Sequence, residues 1–284
     1  MTRRVTFALA LAAAFLWTAW TGMTPCLAGD FSDAEYQQLE RREFQNEDGL
    51  KLQYRLYKPK TKKGKKYPLI LFMHGAGEGG TDNDTQVRGL DLYLHLIFSE
   101  TGKKNPSFLV APQCPPNRGW AAKNLKDAFV NCAHDLVHAL EKEFPIDKRR
   151  IYVTGVSMGG HGVYQWLLHF ADETAAAIPV CGWIDTDQLC AVPAMKDKPV
   201  WIFHGDLDTA VNVQCGRSAY AALQKITPNV KYTEYPGVAH DSWNNAYREE
   251  ELPKWLYKQK LGKPSKAAKG TKSSKSSKGK KHRR

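Results

Sequence analysis

The chain has 284 residues and a net charge of +12, enough length for one large domain with an ample core. Most of the charge lies outside the central part of the sequence. Residues 263–284 contain ten Lys or Arg and no acidic residue, and Arg3 and Arg4 carry two more charges. Residues 29–262 are therefore close to neutral, which excludes a basic fold with a specific nucleic-acid-binding face.

The first residues have the pattern of a secretory signal peptide. An apolar run covers residues 5–20, follows two arginines and precedes small residues that end at Ala28. We expect residues 1–28 to be removed, leaving a secreted or periplasmic protein without a transmembrane span. A membrane anchor is the alternative, because the run is nearly long enough to cross a bilayer. Pro25 disfavours lipid attachment at the cysteine that follows it.

Apolar strand patterns alternate with helical patterns along residues 29–262. The predicted elements in chain order are a hairpin at 44–57 with its turn at 46–49, strand 67–73, helix 86–100, strand 108–111, helix 125–143, strand 151–154, helix 160–170, strand 176–181, strand 200–203, helix 216–226, strand 230–235 and helix 246–260. This alternation predicts a single α/β domain with a doubly wound, mostly parallel sheet. The hairpin would form its antiparallel edge.

The segment 263–284 consists largely of Lys, Ser, Gly and Ala. Such a composition cannot bury enough apolar surface to offset the loss of chain entropy, so we expect a disordered tail. Two interpretations stay open: electrostatic attachment to an anionic surface, or a solvated tail with no partner.

The strongest motif lies between a predicted strand and a predicted helix. Gly155-Val156-Ser157-Met158-Gly159 fits Gly-x-Ser-x-Gly directly after strand 151–154. In this context the turn is a nucleophile elbow, which holds the serine in a strained backbone conformation and needs glycines where a Cβ would clash. We therefore predict that Ser157 is a nucleophile. A plain strand-to-helix turn is the alternative.

Three other predicted strands also end in reactive groups. His74 and a Gly-rich turn follow strand 67–73, Asp206 and Asp208 follow strand 200–203, and His240 follows strand 230–235. In a parallel sheet these carboxyl ends meet at one edge. The chain order Ser, Asp, His is that of α/β-hydrolases. The order alone does not choose between the two aspartates.

Each group has a distinct expected role. His240 would accept the proton of Ser157 and later return it, while an aspartate fixes its tautomer. The backbone N–H groups of Met158 and Ala76 would form an oxyanion hole for the tetrahedral intermediate. No cofactor or metal is expected in this chemistry.

These motifs resemble one branch of a known superfamily. Phe203-His204-Gly205-x-x-Asp208, the elbow at 155–160 and Tyr235-Pro236-Gly237-Val238-Ala239-His240 look like the secreted prolyl-oligopeptidase-like/carboxylesterase branch of the α/β-hydrolases, related to dienelactone-hydrolase-type and polyhydroxyalkanoate-depolymerase-type esterases. The resemblance spans about residues 50–258. It implies a single-domain α/β-hydrolase fold, and it implies Asp208 as the acid, because in that branch the acid falls three residues after the glycine. His161 departs from the pattern.

The predicted activity is that of a secreted serine hydrolase that cleaves carboxylic esters through an acyl-enzyme. Small esters, or acyl and feruloyl groups on a polysaccharide, fit an open site. A lipase is disfavoured because the connection 182–199 is too short for a lid. A prolyl-oligopeptidase-type serine peptidase is the alternative enzyme, although few residues precede the hairpin. An envelope-binding module with an inactive hydrolase scaffold is the alternative outside catalysis.

The remaining histidines and tryptophans are assigned less specifically. We expect His74 and His204 to orient loops by hydrogen bonding. A further histidine pair stands four residues apart on helix 125–143, a spacing that can hold a metal, but without a third ligand the pair indicates an ordinary helix face. The pair consists of His134 and His138. The residues that could equally line the acyl pocket or belong to the core are Trp120, Trp183 and Trp243.

Five cysteines follow the predicted cleavage site, and their odd number leaves at least one thiol free. They are Cys114, Cys132, Cys181, Cys190 and Cys215. Cys190 and Cys215 flank strand 200–203 and are the pair we expect to form a disulfide. Cys114 and Cys181 lie at strand ends and are expected to be buried thiols.

Overall fold

The structure is a computed structural model that describes residues 30–262. The predicted signal peptide at 1–28 and the predicted tail at 263–284 lie outside the described residues. Within residues 30–262, no helix combines the length and the apolar character needed to cross a bilayer.

One eight-stranded sheet organises the described residues. Its strands are β1 (Leu39–Gln45), β2 (Lys51–Tyr57), β3 (Tyr67–Met73), β4 (Phe108–Gln113), β5 (Ile146–Val156), β6 (Ala176–Val180), β7 (Val200–Gly205) and β8 (Val230–Tyr235). The sheet order is β1-β2-β4-β3-β5-β6-β7-β8. β2 pairs antiparallel with both β1 and β4, and the pairs from β4 to β8 are parallel. The predicted doubly wound sheet with an antiparallel N-terminal hairpin is confirmed.

Helices cover both faces of this sheet. The α-helices of the described residues are α1 (Asp33–Tyr36), α2 (Thr85–Arg88), α3 (His95–Phe98), α4 (Glu100–Lys104), α5 (Phe129–Glu143), α6 (Met158–Phe170), α7 (Thr186–Cys190), α8 (Gln214–Leu223), α9 (Trp243–Ala246) and α10 (Glu251–Leu256). Short 3-10 helices lie at Ala76–Glu78, Asp91–Leu94, Leu125–Asp127, Ala171–Glu173 and Pro193–Asp197.

The alternation of side chains along β3 explains why the strand is apolar throughout. Leu69 and Leu71 point to one face of the sheet, where they join a core that includes residues of α5 and α6. Ile70 and Phe72 point to the other face and pack with residues of α3 and α10. A strand buried on both faces needs apolar residues at every position. Because β3, β5, β7 and β8 are parallel, the segments that follow them lie at the same edge.

Two predicted helices are broken in the structure. The segment 86–100 forms α2, a 3-10 turn and α3, with the first break at Gly89, a residue of low helix propensity. The predicted helix 246–260 is replaced by α9 and α10. Pro253 lies in the first turn of α10, where a missing N–H needs no acceptor. A continuous helix would require that N–H, so the helix restarts there.

The expected disulfide is wrong. All five cysteines of the described residues are free thiols, including Cys190 at the end of α7 and Cys215 in the first turn of α8. Cys114 and Cys181 are fully buried, as predicted, and burial raises the pKa of both thiols.

Candidate active site

Ser157 occupies the tight turn between β5 and α6. Its backbone has φ 54° and ψ −117°, a conformation that an L-residue adopts only at a cost of about 1–3 kcal/mol. An ideal Cβ on Gly159 would lie 1.9 Å from the backbone O of Met73, and one on Gly155 would lie 2.5 Å from the backbone O of Gly159. Only glycine fits these two positions, which accounts for the spacing of the motif.

Neighbouring backbone groups hold Ser157 in this conformation. Its N–H donates to Val180 O at the end of β6 (3.0 Å), and its carbonyl accepts from His161 N in the first turn of α6 (3.0 Å). The structure therefore has the predicted elbow geometry at Ser157.

Three side chains that are far apart in the sequence meet above this turn. His240 Nε2 lies 2.8 Å from Ser157 Oγ, and His240 Nδ1 lies 2.8 Å from Asp208 Oδ2. The Asp208 side chain is buried, whereas 27% of the His240 side chain is exposed. A carboxylate oxygen only accepts, so Nδ1 carries the proton and Nε2 is free to accept from the serine hydroxyl.

The two aspartates that the sequence left open have different partners. The second carboxylate oxygen of Asp208 accepts from Ala210 N (2.9 Å) and Val211 N (2.8 Å), which fixes the carboxylate plane. Asp206 Oδ1 instead accepts from Gly237 N at 2.7 Å and joins two loops. The geometry therefore agrees with Asp208, the residue that the family resemblance implied.

His204 holds the loop that carries Asp208. Its Nε2 lies 2.9 Å from Val211 O and 3.3 Å from Asp208 Oδ2. Both partners are acceptors, so this nitrogen carries the proton and donates to them. The predicted loop-orienting role of His204 is confirmed.

His74 connects the loops that follow β3 and β4. Its Nε2 accepts from Cys114 N (2.9 Å), so the proton is on Nδ1, which donates to Gly75 O (2.6 Å). Burial lowers the pKa of His74 to about 4, so the ring is neutral at neutral pH. The loop-orienting role predicted for His74 is confirmed.

The two predicted oxyanion donors stand at the start of helical segments. Met158 is the first residue of α6, and Ala76 is the first residue of its 3-10 helix. N–H groups at these positions have no acceptor within their own helix and are available to a ligand. The Ala76 loop lies against the serine, because an ideal Cβ on Gly75 would be 3.7 Å from Ser157 Cβ.

The structure separates the three tryptophans. Trp120 is fully buried and donates from Nε1 to His74 O (3.0 Å), so it belongs to the core. Trp243 packs edge-on against His240, with ring centroids 5.4 Å apart. Trp183 is 37% exposed and stacks on His161 at 4.6 Å with an interplanar angle of 2°. His161, the departure from the family pattern, thus supports an exposed indole one helical turn from Ser157.

Sequence reasoning did not predict the neighbours of two residues: Cys181, which lies beside the catalytic candidates, and Glu173. Cys181 directly follows β6, and its Sγ lies within 4.8 Å of ligand atoms of Asp208 and His240. Burial raises its pKa to about 12, so it is a neutral thiol beside the carboxylate. Its position at a strand end is the signal that could have identified it.

The second residue is Glu173, which lies beside the histidine pair on α5. The ligand atoms of all three residues lie within 4.8 Å of one another. The pair was predicted to be an ordinary helix face because a third ligand was lacking. That reason does not hold in the structure.

Comparisons with known proteins identify the family of the chain. Residues 59–250 match the family model described as phospholipase/carboxylesterase. The chain is 26% identical over 148 residues to a bifunctional acetylxylan esterase/xylanase of Neocallimastix patriciarum, a match covering 52% of this chain and 20% of that protein. It is 25% identical over 235 residues to an uncharacterized secreted protein of Arthroderma benhamiae, covering 72% of this chain and 24% of that protein.

The solved structure of a thermostable esterase superposes with a TM-score of 0.71 at 35% sequence identity, covering 79% of this chain and 64% of that one. The chain thus spans less than two thirds of each of these three proteins. The family model nevertheless matches more than half of the chain. The eight-stranded sheet with its flanking helices has the same fold as the thermostable esterase. The chain therefore belongs to the phospholipase/carboxylesterase family of the α/β-hydrolases.

Proposed function

We propose that the protein is a secreted esterase that hydrolyses carboxylic esters through an acyl-enzyme on Ser157. The observation that carries this proposal is the position of His240, with one ring nitrogen 2.8 Å from Ser157 Oγ and the other 2.8 Å from Asp208 Oδ2. A serine hydroxyl is a weak nucleophile until a base accepts its proton, and this arrangement supplies that base.

The reaction uses the three side chains in two half-reactions. Ser157 Oγ attacks the ester carbonyl while its proton passes to His240 Nε2, and Asp208 stabilises the imidazolium that forms. The N–H groups of Met158 and Ala76 donate to the oxyanion of the tetrahedral intermediate. The imidazolium then protonates the leaving alcohol. Water, deprotonated by the same nitrogen, attacks the acyl-enzyme and releases the carboxylic acid and Ser157.

The surroundings of the site favour a short acyl group on a large carrier. The connection between β6 and β7 is short, and its Leu189 and Met195 are buried in the core, so little of it is available as a lid. Trp183 is exposed, stacks on His161 one helical turn from Ser157, and offers a flat ring to an aromatic or sugar group. Acyl groups on a polysaccharide fit this geometry, and the similarity to a protein named as a bifunctional acetylxylan esterase/xylanase supports the same class.

Secretion is the second part of the proposal. It is supported by the basic and apolar pattern of residues 1–28 and by the similarity to a protein named as secreted. Mass spectrometry of the protein recovered from the exported fraction tests this part. A mature N-terminus at Gly29 is the expected result, and an uncleaved chain in the membrane fraction would contradict it.

The activity is tested with the Ser157→Ala variant and a panel of acetyl, feruloyl, p-nitrophenyl and peptide substrates. Ser157→Ala should lower the turnover of p-nitrophenyl acetate by about 10⁴-fold or more and abolish fluorophosphonate labelling. Ser218→Ala, which changes an exposed serine on α8, is the matched control and should retain both. Equal turnover in Ser157→Ala and the parent refutes the mechanism. Peptide cleavage without ester cleavage would show a peptidase instead.

A further inference from the structure

A cluster of two imidazoles and a carboxylate lies between α5 and the end of α6. His134 and His138 are one turn apart on α5, and Glu173 ends the 3-10 helix Ala171–Glu173 that follows α6. The two Nε2 atoms are 3.0 Å apart. Glu173 Oε2 lies 3.0 Å from His138 Nε2 and 3.3 Å from His134 Nε2. Three potential ligand atoms thus form a nearly equilateral triangle.

A second carboxylate, that of Glu141, sets the tautomer of the neutral His138 ring. His138 Nδ1 lies 3.0 Å from Glu141 Oε2, and the same oxygen is 2.9 Å from Lys148 Nζ. Only 4% of the Glu141 side chain is exposed. Because a carboxylate oxygen accepts, the Nδ1 proton of the neutral ring donates to Glu141, and Nε2 presents its lone pair.

With both rings neutral, at most one proton, that of His134 Nε2, lies inside the triangle. The lone pair of His138 Nε2 faces Glu173 Oε2, which is also an acceptor, at 3.0 Å. A proton on His134 Nε2 can bridge one edge of the triangle but leaves the other edges unfavourable. A single cation near the centre of the triangle satisfies all three atoms at once.

The side chains are held in place before any ion binds. The ring of His134 stacks on Phe170 with centroids 3.7 Å apart and an interplanar angle of 7°, and it packs edge-on against Trp166. Glu141 fixes the ring of His138. An ion that binds here therefore orders few additional side-chain rotamers.

We propose that His134, His138 and Glu173 form a Zn²⁺ site. Zinc–nitrogen and zinc–oxygen bonds of about 2.0–2.2 Å in a tetrahedron place neighbouring ligand atoms about 3.3 Å apart. The edges of the triangle, 3.0, 3.0 and 3.3 Å, lie at or slightly below this separation, and its imidazole and carboxylate ligands suit Zn²⁺ better than Ca²⁺ or Mg²⁺. The three side chains are 14%, 36% and 45% exposed, so the ion reaches the site from solvent and water takes the fourth position.

The position of the site indicates that a bound ion would stabilise the fold and would not take part in catalysis. It lies at the far end of α6 from Ser157, about 20 Å away at 1.5 Å of helix rise per residue. The ion cannot contact the ester. It would join α5 to the end of α6, the helix that begins at the nucleophile. Because the unfolded chain separates these ligands, zinc binding favours the folded state.

The test uses full-length protein without a polyhistidine tag, dialysed against EDTA and then against metal-free buffer. Titration with ZnCl₂ in a calorimeter should give one ion per chain. At a free zinc concentration about 100-fold above the dissociation constant, the thermal midpoint should rise by about 5–10 °C. Co²⁺ bound in the same position should show the visible absorption of a tetrahedral site with nitrogen and oxygen ligands.

Two ligand variants and a matched control identify the residues. His138→Gln and Glu173→Gln change partly exposed side chains, and each should weaken zinc binding by about 100-fold or more and remove the thermal shift. His169→Gln changes an exposed histidine of α6 outside the cluster and should bind as the parent does. The proposal is overturned if the parent binds no zinc. It is also overturned if both variants bind like the parent, or if Co²⁺ shows thiolate charge-transfer bands from a cysteine.

Discussion

Replacing Asp208 with asparagine tests which tautomer His240 must adopt. One carboxylate oxygen of Asp208 accepts from two backbone N–H groups, those of Ala210 and Val211, and the other lies 2.8 Å from His240 Nδ1. In the variant, the two N–H donors require the amide oxygen on their side. The amide NH₂ group then faces His240 Nδ1 and donates to it. Nδ1 becomes an acceptor, so the ring proton moves to Nε2.

The size of the expected loss follows from the change of tautomer, by analogy with a serine protease. With its proton on Nε2, His240 donates to Ser157 Oγ instead of accepting from it, and general-base catalysis is lost while the geometry persists. The equivalent substitution in a serine protease lowers kcat by about 10⁴-fold, which corresponds to about 5.4 kcal/mol of barrier. The new NH₂ group also faces the N–H of His204, whose Nε2 lies 3.3 Å from Asp208 Oδ2. We therefore also expect a lower thermal midpoint.

Initial rates with p-nitrophenyl acetate measure the loss, and circular dichroism with a thermal melt shows that the variant is folded. Asp206→Asn is the matched control, because an amide oxygen can still accept from Gly237 N. Its kcat should stay within about twofold of the parent. A folded Asp208→Asn variant that keeps more than a tenth of the parent kcat would refute the tautomer argument. Equal losses in both variants would show that the two aspartates are not distinguished as the structure indicates.

Two further predictions concern the loops around the site. Burial lowers the pKa of His74 from 6.5 to about 4, so between these pH values the unfolded chain binds a proton that the folded chain does not. Urea unfolding of the parent should therefore show a free energy of unfolding that falls between pH 6.5 and 4 by about 3 kcal/mol more than that of His74→Asn. Equal losses in the two proteins would contradict this. Trp183→Ala should raise KM for feruloyl and sugar acetyl esters by about tenfold with little change in kcat, whereas Trp183→Phe keeps a stacking ring. A fall in kcat with KM unchanged would contradict a role of Trp183 in stacking on the substrate.

The sheet and the catalytic candidates could be predicted because their signals are local. A strand buried on both faces must be apolar at each position, and a tight turn admits only glycine at Gly155 and Gly159. Strand ends then converge by topology alone. The choice between Asp206 and Asp208 has no local signal, since both follow the same strand. It depends on which loop supplies N–H groups to each carboxylate.

The cluster at the histidine pair on α5 could not be predicted from the sequence. The spacing of four residues predicts that the two rings share a helix face, and the structure agrees. The third group, Glu173, lies 35 residues beyond His138 on another element. Its approach depends on how α6 packs against α5. A pattern within one helix cannot report such a contact, so the sequence alone indicates an ordinary helix face.

Helix α6 connects the two regions, because it begins at the nucleophile elbow and ends beside the histidine pair. Its first turn accepts the strained conformation of Ser157 because the surrounding backbone leaves no alternative: Val180 O fixes the serine N–H, and Met73 O fills the space beside Gly159. Strain of this kind persists only while α6 is held against the sheet. Packing along the whole helix is therefore a condition for the nucleophile, and contacts at its far end contribute to the stability of the elbow without touching the substrate. Residues that the motif does not contain thus take part in keeping the motif in its reactive shape.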